Sequence, residues 1–158
     1  MVIIADSSAL ISLAVCNKLE LIEKLFDNIY VPQAVYEEID VKNKPEANKL
    51  KVFLKNKVQK IDLSNYIISS LKLGIGELEA MALYKKLNAD FLLTDDKQAR
   101  KIAEYNNIKI IGSIGVLISA KKHGYINEIK TSLDSINNSY IYLSKELYQH
   151  ALRITNED

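Results

Sequence analysis

Four acidic positions in this 158-residue chain stand where a carboxylate could act on a ligand. Asp6 follows the apolar run Val2 to Ala5, Glu38 lies beside Val35 and Ile39, Glu77 follows Gly76, and Asp96 with Asp95 follows Phe91 to Thr94. Taken singly, Asp6, Asp95 and Asp96 read equally well as helix N-caps, and Glu77 as a first-turn anion favoured by the helix dipole. Glu38 has no such explanation, because its place late in a short helix beside apolar neighbours does not call for an acid. Its neighbour Glu37 reads as solvated. If these acids converge, their like charges destabilise one another unless a cation compensates them or some take up protons. Asp and Glu oxygens without His or Cys select hard cations such as Mg²⁺ or Mn²⁺. Such ions activate water and stabilise the leaving oxygen of a phosphodiester, which is the chemistry these residues suit.

Those side chains need a scaffold that ends short strands beside one another. Val2 to Ala5 is rich in β-branched residues and bounded by Asp6-Ser7-Ser8, which predicts a buried strand followed by a helix cap. Ala9 to Ala14 supplies a short apolar helix, and Leu19 to Phe26 a second one closed by Asn28. Ile29 to Val31 predicts another strand, with Pro32 suited to the first turn of a helix running through Val35 to Ile39. Lys42 to Pro45 reads as a loop, Glu46 to Lys57 as a helix with Leu50, Phe53 and Leu54 inward, and Val58 to Leu63 as a strand. Ile67 to Leu73 reads as helical, Gly74-Ile75-Gly76 as a break, and Glu77 to Leu87 as a helix carrying Ala80, Met81, Leu83 and Tyr84. Phe91 to Thr94 is the clearest strand in the middle of the chain, with a helix over Lys97 to Tyr105 after it. Lys109 to Ile111 gives a further strand, and Ile114 to Lys122 a helix that stops at Gly124. The tail predicts a helix around Ile126 to Ile136, an extended piece near Tyr140 to Leu143, and a last helix from Lys145 to about Ile154.

Short apolar strands alternating with helices mean βαβ units. The expected fold is α/β, a three-layer sandwich whose central, mostly parallel sheet is covered by helices on both faces. Ligands in such sheets sit beyond the carboxyl ends of the strands, where Asp6 and the Asp95-Asp96 pair fall.

Composition narrows the partners. A charged fraction of 26% beside 48% hydrophobic residues belongs to a folded globular domain and excludes disordered and collagen-like classes. No apolar run approaches the roughly 20 residues needed to span a bilayer. The N-terminus lacks the basic start and cleavage site of a signal peptide, so no membrane partner is expected and the cytoplasm is the expected compartment. Cys16 with His123 and His150 is a poor ligand set for structural zinc. The net charge of +1 hides an asymmetry: residues 1 to 40 hold two lysines against seven acids, and the next twenty hold seven lysines against Glu46. An acidic pocket beside a basic rim would cancel in that total.

Five segments carry a resemblance. They are Ile4-Ala5-Asp6-Ser7-Ser8, Val31 through Ile39, Leu73-Gly74-Ile75-Gly76-Glu77-Leu78-Glu79-Ala80, Leu92 through Arg100, and Ile111-Gly112-Ser113-Ile114-Gly115-Val116-Leu117. In this order and context the chain resembles the PIN domain family of metal-dependent ribonucleases, in particular the branch related to VapC-type toxins. The resemblance covers about residues 2 to 125. It implies a PIN-like nuclease domain over residues 1 to 125, with residues 126 to 158 as a C-terminal helical extension packed on it. It also implies an acidic pocket that binds Mg²⁺ or Mn²⁺ and hydrolyses RNA phosphodiesters. Carried over position by position, Asp6, Glu38, Glu77 and Asp96 take the catalytic and metal-binding roles, with Asp95 sharing or replacing Asp96. Ser8 matches the small polar residue that supports the first Asp, and Thr94 the hydroxyl residue two before the last acid. Glu79 is the alternative to Glu77, on the opposite side of the same helix. The implied partners are an RNA substrate, a small antitoxin protein and a second copy of the chain as a homodimer.

The lysine-rich stretch reads by itself as a solvated helix face. Beside an acidic metal pocket, Lys42 and Lys44 become candidates for an RNA-backbone rim, joined by Lys97, Arg100 and Lys101. Arg100 has a second reading as the i, i+4 partner of Asp96. Tyr140 and Tyr142 alternate as a strand would, which suits an interface. Gly74-x-Gly76-Glu77 is not a phosphate loop, because it lacks the Lys-Ser/Thr that such a loop needs. The rival reading is a catalytically inactive PIN-like module that binds RNA or protein. A receiver-type phosphoacceptor domain fails because neither Val31 nor the segment after Ile111 supplies its Asp and Lys.

Overall fold

The structure is a computed structural model that describes residues 1–66 and 73–158. In chain order its elements are β1 (Val2–Ala5), α1 (Ser7–Val15), α2 (Glu20–Leu25), β2 (Asn28–Pro32), α3 (Gln33–Lys42), α4 (Ala47–Leu54) and β3 (Val58–Gln59). A 3₁₀ turn (Leu63–Asn65) precedes α5 (Ile75–Lys86), β4 (Phe91–Leu93), α6 (Lys97–Tyr105), β5 (Ile110–Ile111), α7 (Ser113–Lys122), α8 (Lys130–Asn137) and α9 (Lys145–Ile154).

Parallel pairing puts the strands in the order β3-β2-β1-β4-β5, with β1 at the centre. Successive side chains of a strand face opposite sides, so Ile3 and Ala5 enter one apolar cluster while Ile4 enters the other. The first cluster gathers Leu10 and Leu13 of α1, Leu50 and Leu54 of α4, and Val116 and Leu117 of α7. The second gathers Met81 and Leu83 of α5 with Ala99 and Ala103 of α6. Burial on both faces is why β1 and β4 are continuous apolar runs instead of alternating ones. The expected α/β sandwich is therefore observed, with an all-parallel sheet.

Several elements differ from the sequence reading. Pro32 is the last residue of β2 and the N-cap of α3, not a first-turn residue. α3 continues through Lys42 until Asn43 enters the left-handed region at φ 43°, so the expected loop begins one residue later. The strand expected over Val58 to Leu63 is two residues long. The helix placed over Ile67 to Leu73 lies outside the described residues except for Leu73. Gly76 is inside α5, which starts at Ile75 with Gly74 as its N-cap, because a glycine there packs against α3. The penultimate helix begins at Lys130, and Tyr140 to Leu143 is not a strand.

α8 and α9 share the first core: Leu133, Ile136, Ala151 and Leu152 are buried in it. Glu157 ties the tail down, accepting from the backbone N–H of Ile129 and Lys130 and pairing with Lys121 of α7 at 2.7 Å. Among the described residues no helix is long and apolar enough to cross a membrane. Leu133 is fully buried, so Leu133→Ala should cost about 2–5 kcal/mol in denaturant unfolding and keep a single transition. A separate early transition would show that α8 melts on its own.

Candidate functional site

The register of β1 and β4 builds the centre of the site. Ala5 pairs with Leu93, and the Asp6 N–H donates to the Leu93 carbonyl at 3.0 Å, so Asp6 and Thr94 leave adjacent strands side by side. Asp6 is the N-cap of α1, its carboxylate accepting from the Ser8 N–H at 2.9 Å and the Ser8 hydroxyl at 3.2 Å. The buried Thr94 hydroxyl donates to the same carboxylate. Ser8 also receives the Asp95 N–H at 2.9 Å, which locks the two strand ends together. Ser8 and Thr94 thus stand where supports for Asp6 were expected.

Asp6 is only 5% exposed. Burial pushes its carboxyl above the usual carboxylate range, and the charge of the Glu77 carboxylate pushes the same way, against the hydrogen bonds from Thr94 and Ser8. The Glu77 carboxylate itself lies back against Gly74, the N-cap of its own helix. Glu79, two residues on, points to another place: it accepts from the Ala34 N–H at 3.0 Å and caps the start of α3. Tertiary packing has given these two acids different tasks, which their helical spacing alone could not assign.

Glu38 comes to the same strand edge from α3. The Ser7 hydroxyl donates to it at 3.2 Å, and its carboxylate lies against Gly76, where an added Cβ would stand 2.8 Å from Oε2. Its counter-charge is Lys42 one turn later, at 2.5 Å. Lys42, read as an RNA-rim candidate, is thus engaged inside the acidic site.

The Asp95-Asp96 doublet divides its work. Asp95 turns inward and accepts from the Ser12 hydroxyl at 2.8 Å and from the Ser113 N–H and hydroxyl, both at 2.7 Å. It thereby joins the end of β4 to α1 and to the start of α7. Asp96 is exposed and caps α6 through the Ala99 N–H at 2.7 Å. Arg100 donates to the Thr94 carbonyl at 3.4 Å, so its guanidinium lies by Asp95 and not in an i, i+4 pair with Asp96. Lys97 and Lys44 are exposed. Sequence reasoning did not single out Ser7, Ser12 or Ser113. The visible signal was a set of serines that become buried, each aimed at one of the acids.

The donor chemistry suits a hard divalent cation: carboxylate oxygens, no His or Cys, and an excess of negative charge felt at Asp6. Asp6 and Glu77, with Glu38 beside Ser7, are the residues that would hold it. The arrangement is looser than the four-carboxylate cluster expected from sequence. Among the described residues, no group of three or more His, Cys, Asp or Glu stands close enough to hold a metal ion. Two contacts account for the spread: Glu38 leans on Lys42, and Asp96 is held by its capping bond.

Compared with known families, residues 2–157 match the model of DUF3368, a PIN domain. The match spans the C-terminal helices as well as the strands. No curated protein and no solved structure matches the chain.

The raised Asp6 pKa has a stability consequence. The folded state holds this proton more tightly than the unfolded chain, so the contribution is fully present below the ordinary carboxyl value of 3.8 and is lost as pH rises through the raised one. With divalent ions chelated, thermal melts of wild type and Asp6→Asn should therefore diverge in the variant's favour from about pH 4 upward. A gap that stays constant with pH would mean that Asp6 carries no such penalty.

Proposed function

The chain belongs to the PIN domain family, and on that premise we propose that it is a Mg²⁺- or Mn²⁺-dependent endoribonuclease acting at the edge where β1 and β4 end. The fold is of nuclease type; the metal, the RNA substrate and the site residues are our reading. The observation that carries it is the buried Asp6 carboxylate, held by Ser8 and Thr94 with Glu77 opposing it, at the carboxyl end of the central strand. A buried carboxylate on which a second negative charge acts is unfavourable unless a cation is received there or the group takes up a proton. When bound, such an ion supplies water activation and charge stabilisation for phosphodiester hydrolysis.

The chain's own residues supply position. Ser8 and Thr94 orient Asp6, Ser7 orients Glu38, and the absence of a side chain at Gly76 leaves room for the Glu38 carboxylate. Lys42 neutralises Glu38 in the protein without metal and must yield it for a cation to bind there. Asp96 must likewise trade its Ala99 contact. The proposal extends to a toxin role opposed by a small antitoxin protein, and to a homodimer, on the strength of the resemblance in the five segments.

A second reading, an inactive PIN-like RNA- or protein-binding module, is favoured by the absence of a three-acid cluster among the described residues. Calorimetry with Mg²⁺ and Mn²⁺ separates the two, since the module reading predicts no metal binding.

RNA incubated with Mg²⁺ or Mn²⁺ should be cleaved by wild type and left intact by Asp6→Asn, and the same substitution should relieve any growth arrest caused by expression. Equal cleavage by both proteins would sink the assignment. Gly76→Ala should cut cleavage by about tenfold or more while leaving stability within about 1 kcal/mol. The added Cβ would meet only the movable end of Glu38 at 2.8 Å and Val35 Cγ2 at 3.4 Å, and alanine favours the helix.

A further inference from the structure

The segment between α8 and α9 lines a cleft together with Ser8, Asp95 and Asp96 and presents an aromatic ring there. Ile141 is half-buried and packs against the first apolar cluster, while Tyr140 and Tyr142 on either side of it are exposed. Tyr140 is the anchored one. Its hydroxyl donates to Glu46, and the Lys44 ammonium lies over its ring at 4.8 Å from the centroid, which pins the segment to the turn between α3 and α4. Tyr142 is 85% exposed. A cleft of about 380 Å³ runs from Ser8 and Asp96 to Lys44, Tyr140 and Tyr142. A second cleft of about 440 Å³ shares Tyr142 and Asp95 with it and adds Lys97 and Arg100.

A large ring left in water costs solvation and contributes nothing to the core. Here it shares its clefts with Lys44, Lys97 and Arg100 and with the carboxylates of Asp95 and Asp96. Aromatic faces alternating with cations are what a single strand of nucleic acid needs: the bases stack and the phosphates meet the ammonium and guanidinium groups. The carboxylates between them repel phosphate, so an anionic strand is held by the flanks and not by the centre. We propose that Tyr142 is a base-stacking platform for single-stranded RNA, with Lys44 and Lys97 as its phosphate contacts on either side. This rests on the ribonuclease reading above and adds to it a residue that holds the strand as it enters over the C-terminal segment. A paired strand keeps its bases stacked on one another and offers Tyr142 no free face.

The test uses the full chain with metal chelated, so that binding is read without cleavage. Fluorescence anisotropy of a labelled oligouridylate of about ten nucleotides should show binding weakened about tenfold by Tyr142→Ala and unchanged by Tyr142→Phe. Tyr105→Ala removes a ring that is 75% exposed at the far end of α6 and should bind as wild type does. Affinity for a blunt RNA duplex should not change in Tyr142→Ala. The chain contains no Trp, so Tyr142→Trp introduces a lone indole whose emission should fall when the single strand is added. Unchanged single-strand affinity in Tyr142→Ala, an equal loss for duplex, or an unresponsive indole would each overturn the platform. A protein that binds the strand through Tyr142 and never cuts it with Mg²⁺ or Mn²⁺ would keep the platform and overturn the nuclease reading. Cleavage by wild type with normal binding by Tyr142→Ala would do the reverse.

Discussion

The lateral hydrogen bonding between β1 and β4 is the constraint on which the site depends. It sets Asp6 and Thr94 one residue beyond paired strand positions, and from there the Thr94 hydroxyl reaches the Asp6 carboxylate. A slip of one residue would turn Asp6 to the opposite face of the sheet and bury an acid among leucines. Because β1 and β4 are apolar on both faces, the register is marked by the polar groups at their ends, where Asp6, Ser8, Thr94 and Asp95 meet. Ser8 completes the junction by serving both strand ends, supporting Asp6 and receiving the Asp95 N–H. At 5% exposure the Asp6 carboxylate keeps hydrogen bonds from Ser8 and Thr94, which offset part of the cost of burying it.

The remaining acids are distributed by helix packing. Glu77 and Glu79 leave α5 in different directions, one back against Gly74 and the other to the start of α3. Gly76 lets α3 and α5 approach closely enough for Glu38 to lie between them. Without metal the negative charge is managed locally: Lys42 screens Glu38, Ser12 and Ser113 saturate Asp95, and the α6 terminus takes Asp96. The Lys42 pair is half-exposed and the Asp96 cap lies at a surface helix end, so both are weak restraints, whereas Asp95 is held by two buried serines.

The C-terminal helices belong to the same core as the sheet. Their packing places the segment around Ile141 in a cleft with Ser8, Asp95 and Asp96, and Lys121 with Glu157 holds the end of the chain in place. Stability and access are therefore linked, since the residues that bury Leu133 and Leu152 also determine where Tyr140 and Tyr142 stand.

Much of this was legible in the amino-acid sequence. The β-branched run at Val2 to Ala5 and the apolar run at Phe91 to Leu93 marked the central strands. The caps at Asp6 and Asp96 matched helix starts, and Gly124, at φ 76°, ended α7. These are local properties, set by propensity, period and capping within a few residues. What remained undetermined was non-local: whether Gly76 broke a helix or packed inside one, whether Glu77 or Glu79 acted on Asp6, and what Asp95 did beside Asp96. The answers depend on α3, α7 and β1, which lie far away in sequence. By itself the sequence determined the α/β alternation and the acids at strand ends. Only the tertiary structure decided which carboxylate meets which donor, because a side chain's direction is chosen by the neighbours that close packing brings to it.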